Sequence, residues 1–382
     1  MAHPHDASTA EHAPAGPIPG VERVLLIRPS ALGDVCRTVP VLAALRLAYP
    51  RAKIDWLVRD SFAEAVAHHP GLTSVVPFPR ARFARPAAWP ELARWLGALR
   101  ARRYDLVIDA QGLLRSGAFM LATGAPVRVG DGNARELAWL GANRRPRPPR
   151  TLHTVERMMA LAHAAGAAGH ARRDMRLFPP PHATPHVPPQ APDARPPAPF
   201  AVLAPTSAWP GKRWPPERFA QLARGVLAAR LAEAVVIVGA PAEREQSGPL
   251  LRALADEPRA LDMVGSTGVG GLMRLIERAA LVVACDSAAL HIAVGLGVPA
   301  VGLYGPTDTR LVGPYPGATG GPCVVVQSPA AAAAVADAGP GLHKRHDQGS
   351  RLMAMISVEQ ALGACEQALA GARAQPLTAA AP

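Results

Sequence analysis

The strongest chemical signal in the sequence runs from Leu281 to Thr309, where polar residues follow two short apolar segments. Leu281–Cys285 has the length and composition of a buried parallel strand, and Asp286 and Ser287 follow it directly. In an open α/β sheet, ligands bind at the carboxyl ends of the strands. Because a carboxylate repels phosphate, we expect Asp286 to accept hydrogen bonds from sugar or ribose hydroxyls. An N-cap for the next helix is the other interpretation that the sequence leaves open for Asp286 and Ser287.

A second carboxylate follows the first predicted strand, Val21–Ile27. Asp34 comes after Gly33 in the turn that leads into a helix. A carboxylate at this position can take the proton of an acceptor hydroxyl as that oxygen attacks a sugar carbon. One base without a covalent intermediate suits a displacement with inversion of configuration. The alternative is that Asp34 caps the helix.

Lys212 is one of three lysines in an arginine-rich chain and follows Gly211 in a loop. A compact ammonium group at this loop can stabilise the negative charge that grows on a departing diphosphate. Thr206 and Ser207, directly after the predicted strand Phe200–Ala204, can donate hydroxyls to the same phosphates. A solvated lysine and ordinary turn residues are the structural alternatives.

Four further side chains are candidates for ligand contacts. His291, one helical turn beyond Asp286, can reach a phosphate, or it can pack in the interior. Glu243 is placed to accept from ribose hydroxyls, or to serve as a first-turn acid that the helix dipole favours. Arg37 and Arg115 are candidates for bidentate pairing with acceptor phosphates or carboxylates.

The sequence predicts no metal and no other cofactor. It contains no D-x-D motif, and its four cysteines have none of the spacings of a metal site. Scattered cysteines fit a reducing, cytoplasmic compartment. The first twenty residues lack the basic and apolar regions of a secretory signal, and no apolar run is long enough to span a bilayer.

The net charge of +12 limits the class of partner. A basic surface suits anionic lipid, phosphorylated glycan or nucleic acid. With 4% aromatic residues and no nucleic-acid motif, we expect no nucleic-acid partner.

A chain of 382 residues predicts two domains, and apolar segments alternate with helical patterns in each half. The fold class is α/β, with two doubly wound Rossmann-like domains. The predicted segments are a disordered lead (1–20), an acceptor domain (21–178), a Pro-rich linker (179–199), a nucleotide-sugar domain (200–372) and a disordered tail (373–382). Helices are also predicted over Ser61–His68 and Thr151–Ala168, and a flexible insert over Ala330–Ala338. Dehydrogenases and periplasmic binding proteins share this periodicity, but no G-x-G-x-x-G follows Val21–Ile27 or Phe200–Ala204.

Five stretches, in order, resemble glycosyltransferase family 9, the bacterial heptosyltransferases of lipopolysaccharide core assembly. The resemblance extends roughly from Val21 to Tyr315, and the five stretches are Arg28–Val35, Asp109–Ser116, Lys212–Pro215, Asp286–His291 and Tyr304–Asp308. The resemblance implies the B architecture of glycosyltransferases. It also implies metal-independent, inverting transfer of heptose from a nucleotide diphosphate, typically ADP, to Kdo–lipid A or its extended core. It places Gly305 and Pro306 in a donor loop and Gln111 in a loop of the acceptor domain. The partners that the resemblance implies are a nucleotide-sugar donor and an anionic glycolipid acceptor, with peripheral contact at the inner membrane and a monomeric protein.

Two positions depart from the family pattern. Ala288 stands where the family usually has glycine, and the loop Ala208–Gly211 has no residue-by-residue match. A non-catalytic protein that binds nucleotides or glycans, a family 9 transferase of another sugar, and an RNA or membrane adaptor remain alternatives. Asp34 and Lys212 favour the enzyme, because binding alone requires no base.

Overall fold

The computed structural model describes residues 16–167, 173–182, 196–315, 321–338 and 341–374. The chain divides into two compact units. The first contains the residues up to Ser30, Pro40–Asp60 and Pro70–Arg173. The second contains Ala31–Val39, Ser61–His69 and the residues from Asp174 onward. The domain boundaries expected from the sequence stay a prediction, and residues 1–15, 183–195 and 375–382 of the predicted lead, linker and tail lie outside the described residues.

The first unit is built on a five-stranded parallel sheet. Its strands are β1 (Arg23–Ile27), β2 (Lys53–Arg59), β3 (Ser74–Phe78), β4 (Leu106–Asp109) and β5 (Val127–Gly130). They lie in the order β3-β2-β1-β4-β5, and the direction of winding reverses between β1 and β4. The helices in this part of the chain are α1 (Leu32–Ala48), α2 (Arg80–Phe83), α3 (Trp89–Ala101), α4 (Leu114–Thr123) and α5 (Thr154–Ala162).

The core of the first unit follows from its apolar strands. Residues 24–27 of β1 are fully buried, as expected for a central strand with both faces covered. One face carries an aromatic cluster in which Phe119 lies 4.9 Å from Phe78 and 5.3 Å from Trp95 between ring centroids. This packing fixes α3 and α4 against the sheet.

The second unit is built on a six-stranded parallel sheet. Its strands are β6 (Phe200–Ala204), β7 (Ala234–Ile237), β8 (Ala260–Asp262), β9 (Leu281–Cys285), β10 (Ala300–Tyr304) and β11 (Cys323–Gln327). The order is β11-β10-β9-β6-β7-β8, which is the doubly wound order of nucleotide-binding sheets. Its helices are α6 (Pro216–Ala228), α7 (Arg244–Ala253), α8 (Val269–Glu277), α9 (Ala288–Gly295), α10 (Thr309–Val312), α11 (Pro329–Ala338), α12 (His346–Met353) and α13 (Val358–Ala374).

The fold class predicted from the sequence is confirmed, because both units have a doubly wound parallel sheet. Three details were wrong. The predicted helix over Ser61–His68 is a 3₁₀ helix at Asp60–Ala65, and the helix predicted to reach Ala168 gives way to a π turn at His163–Ala167. The predicted flexible insert is the helix α11, which the high helix propensity of alanine explains.

Short 3₁₀ helices complete the described elements, at Pro86–Ala88, Ala138–Gly141, Pro210–Lys212, Pro241–Glu243 and Leu342–Lys344. Within the described residues, every helix is too short or too polar to span a membrane.

Candidate active site

The centre of the candidate site is an ion pair at the point where the second sheet reverses its winding, between β6 and β9. Lys212, the last residue of the 3₁₀ turn Pro210–Lys212, lies in the loop between β6 and α6, and Asp286 directly follows β9. Lys212 Nζ donates to Asp286 Oδ2 at 2.6 Å, and both side chains are only 13% exposed. The sequence predicted a role for each residue but not their pairing.

The loop after β10 supplies a third partner. Thr307 Oγ1 donates to Asp286 Oδ2 at 3.0 Å. Gln327 Nε2 holds this loop in place by donating to the carbonyl oxygens of Gly305 and Thr307, both at 2.9 Å. Pro306 is buried between them. The loop that the resemblance assigned to the donor is therefore joined to Asp286, through a threonine that sequence reasoning did not select.

The carboxyl group of Asp286 is charged despite its burial. Burial raises the pKa of this carboxyl group more than any other single effect, but attraction to Lys212 and the hydrogen bond from it lower the pKa. The positive fields of His291 and Arg37 act in the same direction, so the pKa of Asp286 lies below its ordinary value. An anionic carboxylate among three cationic or potentially cationic side chains is the electrostatic signature of the site.

Hydroxyl groups surround the same strand end. Thr206 and Ser207 are buried directly after β6, and Ser207 Oγ donates to the carbonyl oxygen of Asp286 at 3.2 Å. Ser287 is the N-cap residue of α9, but its side chain makes no capping hydrogen bond. Its Oγ, like the hydroxyl of Tyr304, is buried without a hydrogen-bond partner among the described residues. The capping alternative for the Ser287 side chain therefore does not apply, and its predicted contact with the donor stays a prediction.

His291 is 3% exposed on α9 and packs against the start of α1. A Cβ atom built on Gly33 would lie 2.8 Å from His291 Cδ2, so a larger residue at position 33 would require the imidazole ring to move. The contact brings the backbone next to Asp34 against the first turn of α9. The packing role considered for His291 is therefore present, and its phosphate role stays a prediction.

Asp34 is in the first turn of α1 and forms an ion pair with Arg37, one turn later. Its side chain is 28% exposed, compared with 10% for Arg37. Arg37 also donates to the carbonyl oxygen of Val312 at 2.6 Å. Asp34 is therefore oriented by a cation and still accessible. Arg37, which the sequence predicted as an acceptor contact, is engaged by Asp34 and Val312 instead, and its acceptor role stays a prediction.

Glu243 does not join this cluster in the described structure. Its Oε2 accepts from the backbone N–H of Ala240 at 2.7 Å, in the 3₁₀ turn before α7. This is the structural role that an acidic residue at a helix start can have. The predicted contact with ribose hydroxyls is untested, and the second carboxylate oxygen would have to make it.

The two other predicted acceptor residues belong to the first unit. Gln111 Oε1 accepts from the backbone N–H of Ser30 at 3.1 Å, which ties the loops after β1 and β4 together at the reversal point of that sheet. Arg115 lies with its guanidinium carbon 5.4 Å from the centre of the Phe78 ring. Their roles towards an acceptor stay predictions.

The carboxylate of Asp109 holds the loop that contains Gln111 through hydrogen bonds. It is 2% exposed and accepts from Gln111 N, Gly112 N and Ser116 Oγ at 2.8–3.2 Å. Burial raises the pKa of Asp109 even though these hydrogen bonds oppose the shift. Sequence reasoning treated this stretch as a motif without assigning Asp109 a role, and the structure shows that it folds the loop.

The described residues contain no group of three His, Cys, Asp or Glu side chains placed to hold a metal ion. The arrangement instead offers a carboxylate at Asp34, a fixed ammonium at Lys212, buried hydroxyls and the N-terminus of α9. These groups suit proton removal from a hydroxyl and stabilisation of a diphosphate.

Known proteins share both sequence and fold with this chain. The family model of glycosyltransferase family 9 (heptosyltransferase) matches residues 92–331. Lipopolysaccharide heptosyltransferase 1 of Escherichia coli K12 is 31% identical over 304 residues, covering 77% of this chain and 91% of that protein. The protein of that name from Pseudomonas aeruginosa is 33% identical over 314 residues, covering 77% and 81%. The structure of E. coli heptosyltransferase WaaC with ADP-2-deoxy-2-fluoro heptose superposes with a TM-score of 0.66 and 26% identity, covering 90% and 99%.

Fold, site and these similarities together define a glycosyltransferase built on two Rossmann-like sheets. The chain belongs to glycosyltransferase family 9. The resemblance inferred from the five sequence stretches is thereby confirmed.

Proposed function

We propose that this glycosyltransferase moves heptose from ADP-heptose to the inner core of lipopolysaccharide, with Kdo–lipid A or its extended core as acceptor. The observation that carries the proposal is the charged cluster of Lys212, Asp286 and Thr307 at the winding reversal of the second sheet. The relatives named as lipopolysaccharide heptosyltransferases and the related structure with an ADP-heptose analogue support it. The proposed setting is the cytoplasmic face of the inner membrane, where the protein acts as a monomer.

The proposed donor site uses the hydroxyls and cations described above. An ammonium group has three N–H donors, so Lys212 keeps two for a phosphate while one serves Asp286. Thr206, Ser207 and Ser287 supply hydroxyls, and the N-terminus of α9 favours an anion. Within the described part of the chain Asp286 Oδ1 makes no hydrogen bond, so this oxygen accepts from a sugar hydroxyl.

The proposed reaction is a single displacement. Asp34 accepts the proton of the acceptor hydroxyl while that oxygen forms a bond to the anomeric carbon of heptose. The bond from this carbon to the β-phosphate oxygen breaks, and ADP departs with one additional negative charge. Lys212 offsets that charge, so no metal is required. Because attack and departure occur on opposite faces, the configuration is inverted.

A nucleotide panel tests the donor. The unfolding temperature of the protein is measured with ADP, GDP, UDP and CDP, because a ligand stabilises the state that binds it. We expect the largest shift with ADP, and transfer from ADP-heptose to Kdo–lipid A by mass spectrometry. A larger shift with another nucleotide, together with heptose transfer from the corresponding nucleotide sugar, would show that this nucleotide sugar is the donor and that ADP-heptose is not.

A further inference from the structure

One surface of the first unit is unusually apolar. On α4, Leu114, Ala118 and Leu121 are exposed at helical spacing, and no polar residue interrupts that stripe. The adjoining turn exposes Leu137 and Leu140. The four leucines are 50–58% exposed. We call these five residues the α4 face.

The α4 face is continuous because its two elements pack backbone to backbone. A Cβ atom on Gly117 would lie 2.6 Å from the carbonyl oxygen of Ala138, and one on Gly141 would lie 2.5 Å from that of Gly117. The helix α4 and the 3₁₀ turn Ala138–Gly141 therefore lie in direct contact, with their leucines on the outside. Contiguous apolar surface of this kind marks a site of interaction with protein or membrane.

The backbone that presents Leu137 is strained. Glu136 and Leu137 are consecutive non-glycine residues with left-handed φ angles of 54° and 59°. For residues other than glycine this conformation is energetically unfavourable relative to the ordinary helical region. With Leu137 58% exposed, little of this cost is recovered by burial in the protein itself. An apolar environment outside the protein would bury that side chain.

The charge around the α4 face identifies the occupant. Residues 128–150 contain six arginines and two acids, and one of those acids, Asp131, is buried and paired with Arg157. Arg145 lies 4.9 Å from the centre of the Trp139 ring, next to Leu140. Arg145, Arg147 and Arg150 are exposed. Apolar side chains beside exposed arginines are the combination that binds the interface of an anionic bilayer.

We propose that the α4 face and the arginines beside it dock the protein on an anionic phospholipid bilayer. Leu121, Leu137 and Leu140 enter the interface, and Arg145, Arg147 and Arg150 contact lipid phosphates. The inference rests on the proposed function, because docking holds the enzyme where a lipid-anchored acceptor lies. It adds the surface that makes the contact.

Vesicle sedimentation with the full-length protein tests the proposal. Vesicles of phosphatidylcholine alone are compared with vesicles of equal parts phosphatidylcholine and phosphatidylglycerol, without donor or acceptor. We expect binding to the anionic vesicles only, weakening as salt screens the arginines. Equal binding to both vesicles, or to neither, would overturn the proposal.

Two sets of variants locate the surface. The apolar set is Leu121→Gln, Leu137→Asn and Leu140→Gln, in which asparagine is chosen because it tolerates a left-handed backbone. Burying the exposed half of one leucine side chain in the bilayer should raise vesicle affinity about fivefold. Replacing three leucines should therefore lower that affinity about 100-fold. Neutralising Arg145, Arg147 and Arg150 to Gln should lower it by about the same factor and reduce the salt dependence.

Leu47→Gln is the matched control. Leu47 is 51% exposed, as Leu140 is, but it lies on α1 and outside the α4 face. We expect this variant to bind vesicles as the wild type does. An equal loss in the control and the apolar set, or an unchanged affinity in the apolar set, would contradict the proposal. A dimer detected by light scattering and lost in the apolar set would assign the face to a second copy of the chain.

Activity on a delipidated acceptor separates this inference from the proposed function. Neither set contains a residue of the candidate site, so transfer of heptose to a soluble Kdo oligosaccharide should remain at the wild-type rate. Absence of transfer by the wild-type protein would contradict the proposed function while leaving the vesicle result intact. Normal transfer with no vesicle binding would overturn only the docking surface.

Discussion

At the residue scale, the candidate site depends on two ion pairs with different properties. The pair between Lys212 and Asp286 is buried, and its partners are 74 positions apart in the chain. The pair between Asp34 and Arg37 spans one helical turn and is partly open to solvent. The first pair is suited to fix a charge next to a diphosphate, and the second to orient a base that must meet an incoming hydroxyl.

Asp34→Asn tests the base. The substitution keeps the shape of the side chain and an oxygen for Arg37 but removes the basicity. We expect kcat for heptose transfer to fall by about 10² to 10⁴-fold, with the affinity for ADP little changed. Steady-state kinetics and nucleotide titration measure the two quantities, and near-normal turnover would remove Asp34 from the mechanism.

Lys212→Ala tests the stabilisation of the leaving group. Interactions that strengthen in the transition state act on kcat, so the variant should lower kcat more than it weakens donor binding. The loss of transition-state stabilisation should be roughly 2 to 4 kcal/mol. Lys212→Arg should restore only part of the lost turnover, because a planar guanidinium replaces a point charge. Since Lys212→Ala also leaves Asp286 without its cation, thermal unfolding must show that the variant is folded. An effect on KM alone would make Lys212 a binding contact.

The pKa of Asp286 predicts how the stability of the folded protein changes with pH. Its pKa is lower in the folded protein than in the unfolded chain. Burial raises it, but attraction to Lys212, the hydrogen bond from Lys212 and the positive fields of His291 and Arg37 together outweigh burial. The stabilisation is therefore complete above the unfolded pKa of about 4 and is lost as the pH falls through the lower folded value. The difference in unfolding temperature between wild type and Asp286→Asn should be largest near neutral pH and shrink in acid.

Asp256→Asn is the control for that series. Asp256 pairs with Arg224, but its side chain is 78% exposed, and exposed ion pairs contribute little. The control should shift the unfolding temperature only slightly at any pH. If both variants respond to pH alike, the Lys212–Asp286 pair does not contribute in the way described.

At the element scale, α12 packs against two loops of the candidate site. A Cβ atom on its Gly349 would lie 2.6 Å from the carbonyl oxygen of Gly211, next to Lys212. Its Met353 fills the space at Gly305, where a Cβ atom would lie 2.8 Å from the sulfur. One helix therefore positions both the turn of Lys212 and the loop of Thr307.

Gly349→Ala tests this support. The added methyl group meets backbone atoms, so no side-chain rotation relieves the clash and the turn at Lys212 must move. We expect a loss of about 1–3 kcal/mol in stability and a lower kcat. In Gly363→Ala on α13, the methyl group enters open space, and alanine should stabilise that helix by about 0.5–1 kcal/mol. If Gly349→Ala behaves like Gly363→Ala, α12 does not position Lys212.

Most elements with a strong local pattern could be predicted from the sequence, whereas elements with a weak pattern could not. The strands β6 and β9 are short apolar runs followed by polar residues, and their predicted positions agree with the structure. The strand β11 was missed although its sequence, CVVVQ, is rich in valine. The helix α12 was missed because its segment is largely polar, and its packing against Gly211 is a contact between distant parts of the chain.

At the scale of the whole molecule, two doubly wound sheets each place polar loops at a reversal of winding. Topology explains why residues far apart in sequence, such as Lys212, Asp286 and Thr307, meet at one sheet edge. Sequence reasoning selected Asp286 because it follows a recognisable strand, and Lys212 because it is one of three lysines in an arginine-rich chain and lies in a loop after glycine. It did not find their hydrogen bond, nor Thr307 and Gln327, since side-chain pairing across a sheet edge leaves no local pattern.

The most direct test is an NMR measurement on the product formed from ADP-heptose and Kdo–lipid A in excess EDTA. We predict that the acceptor gains one heptose, that its anomeric configuration is inverted relative to the donor, and that chelation leaves the rate unchanged. Retention of configuration, or a product that forms only when Mg²⁺ or Mn²⁺ is restored, would contradict a single displacement driven by Asp34 and Lys212.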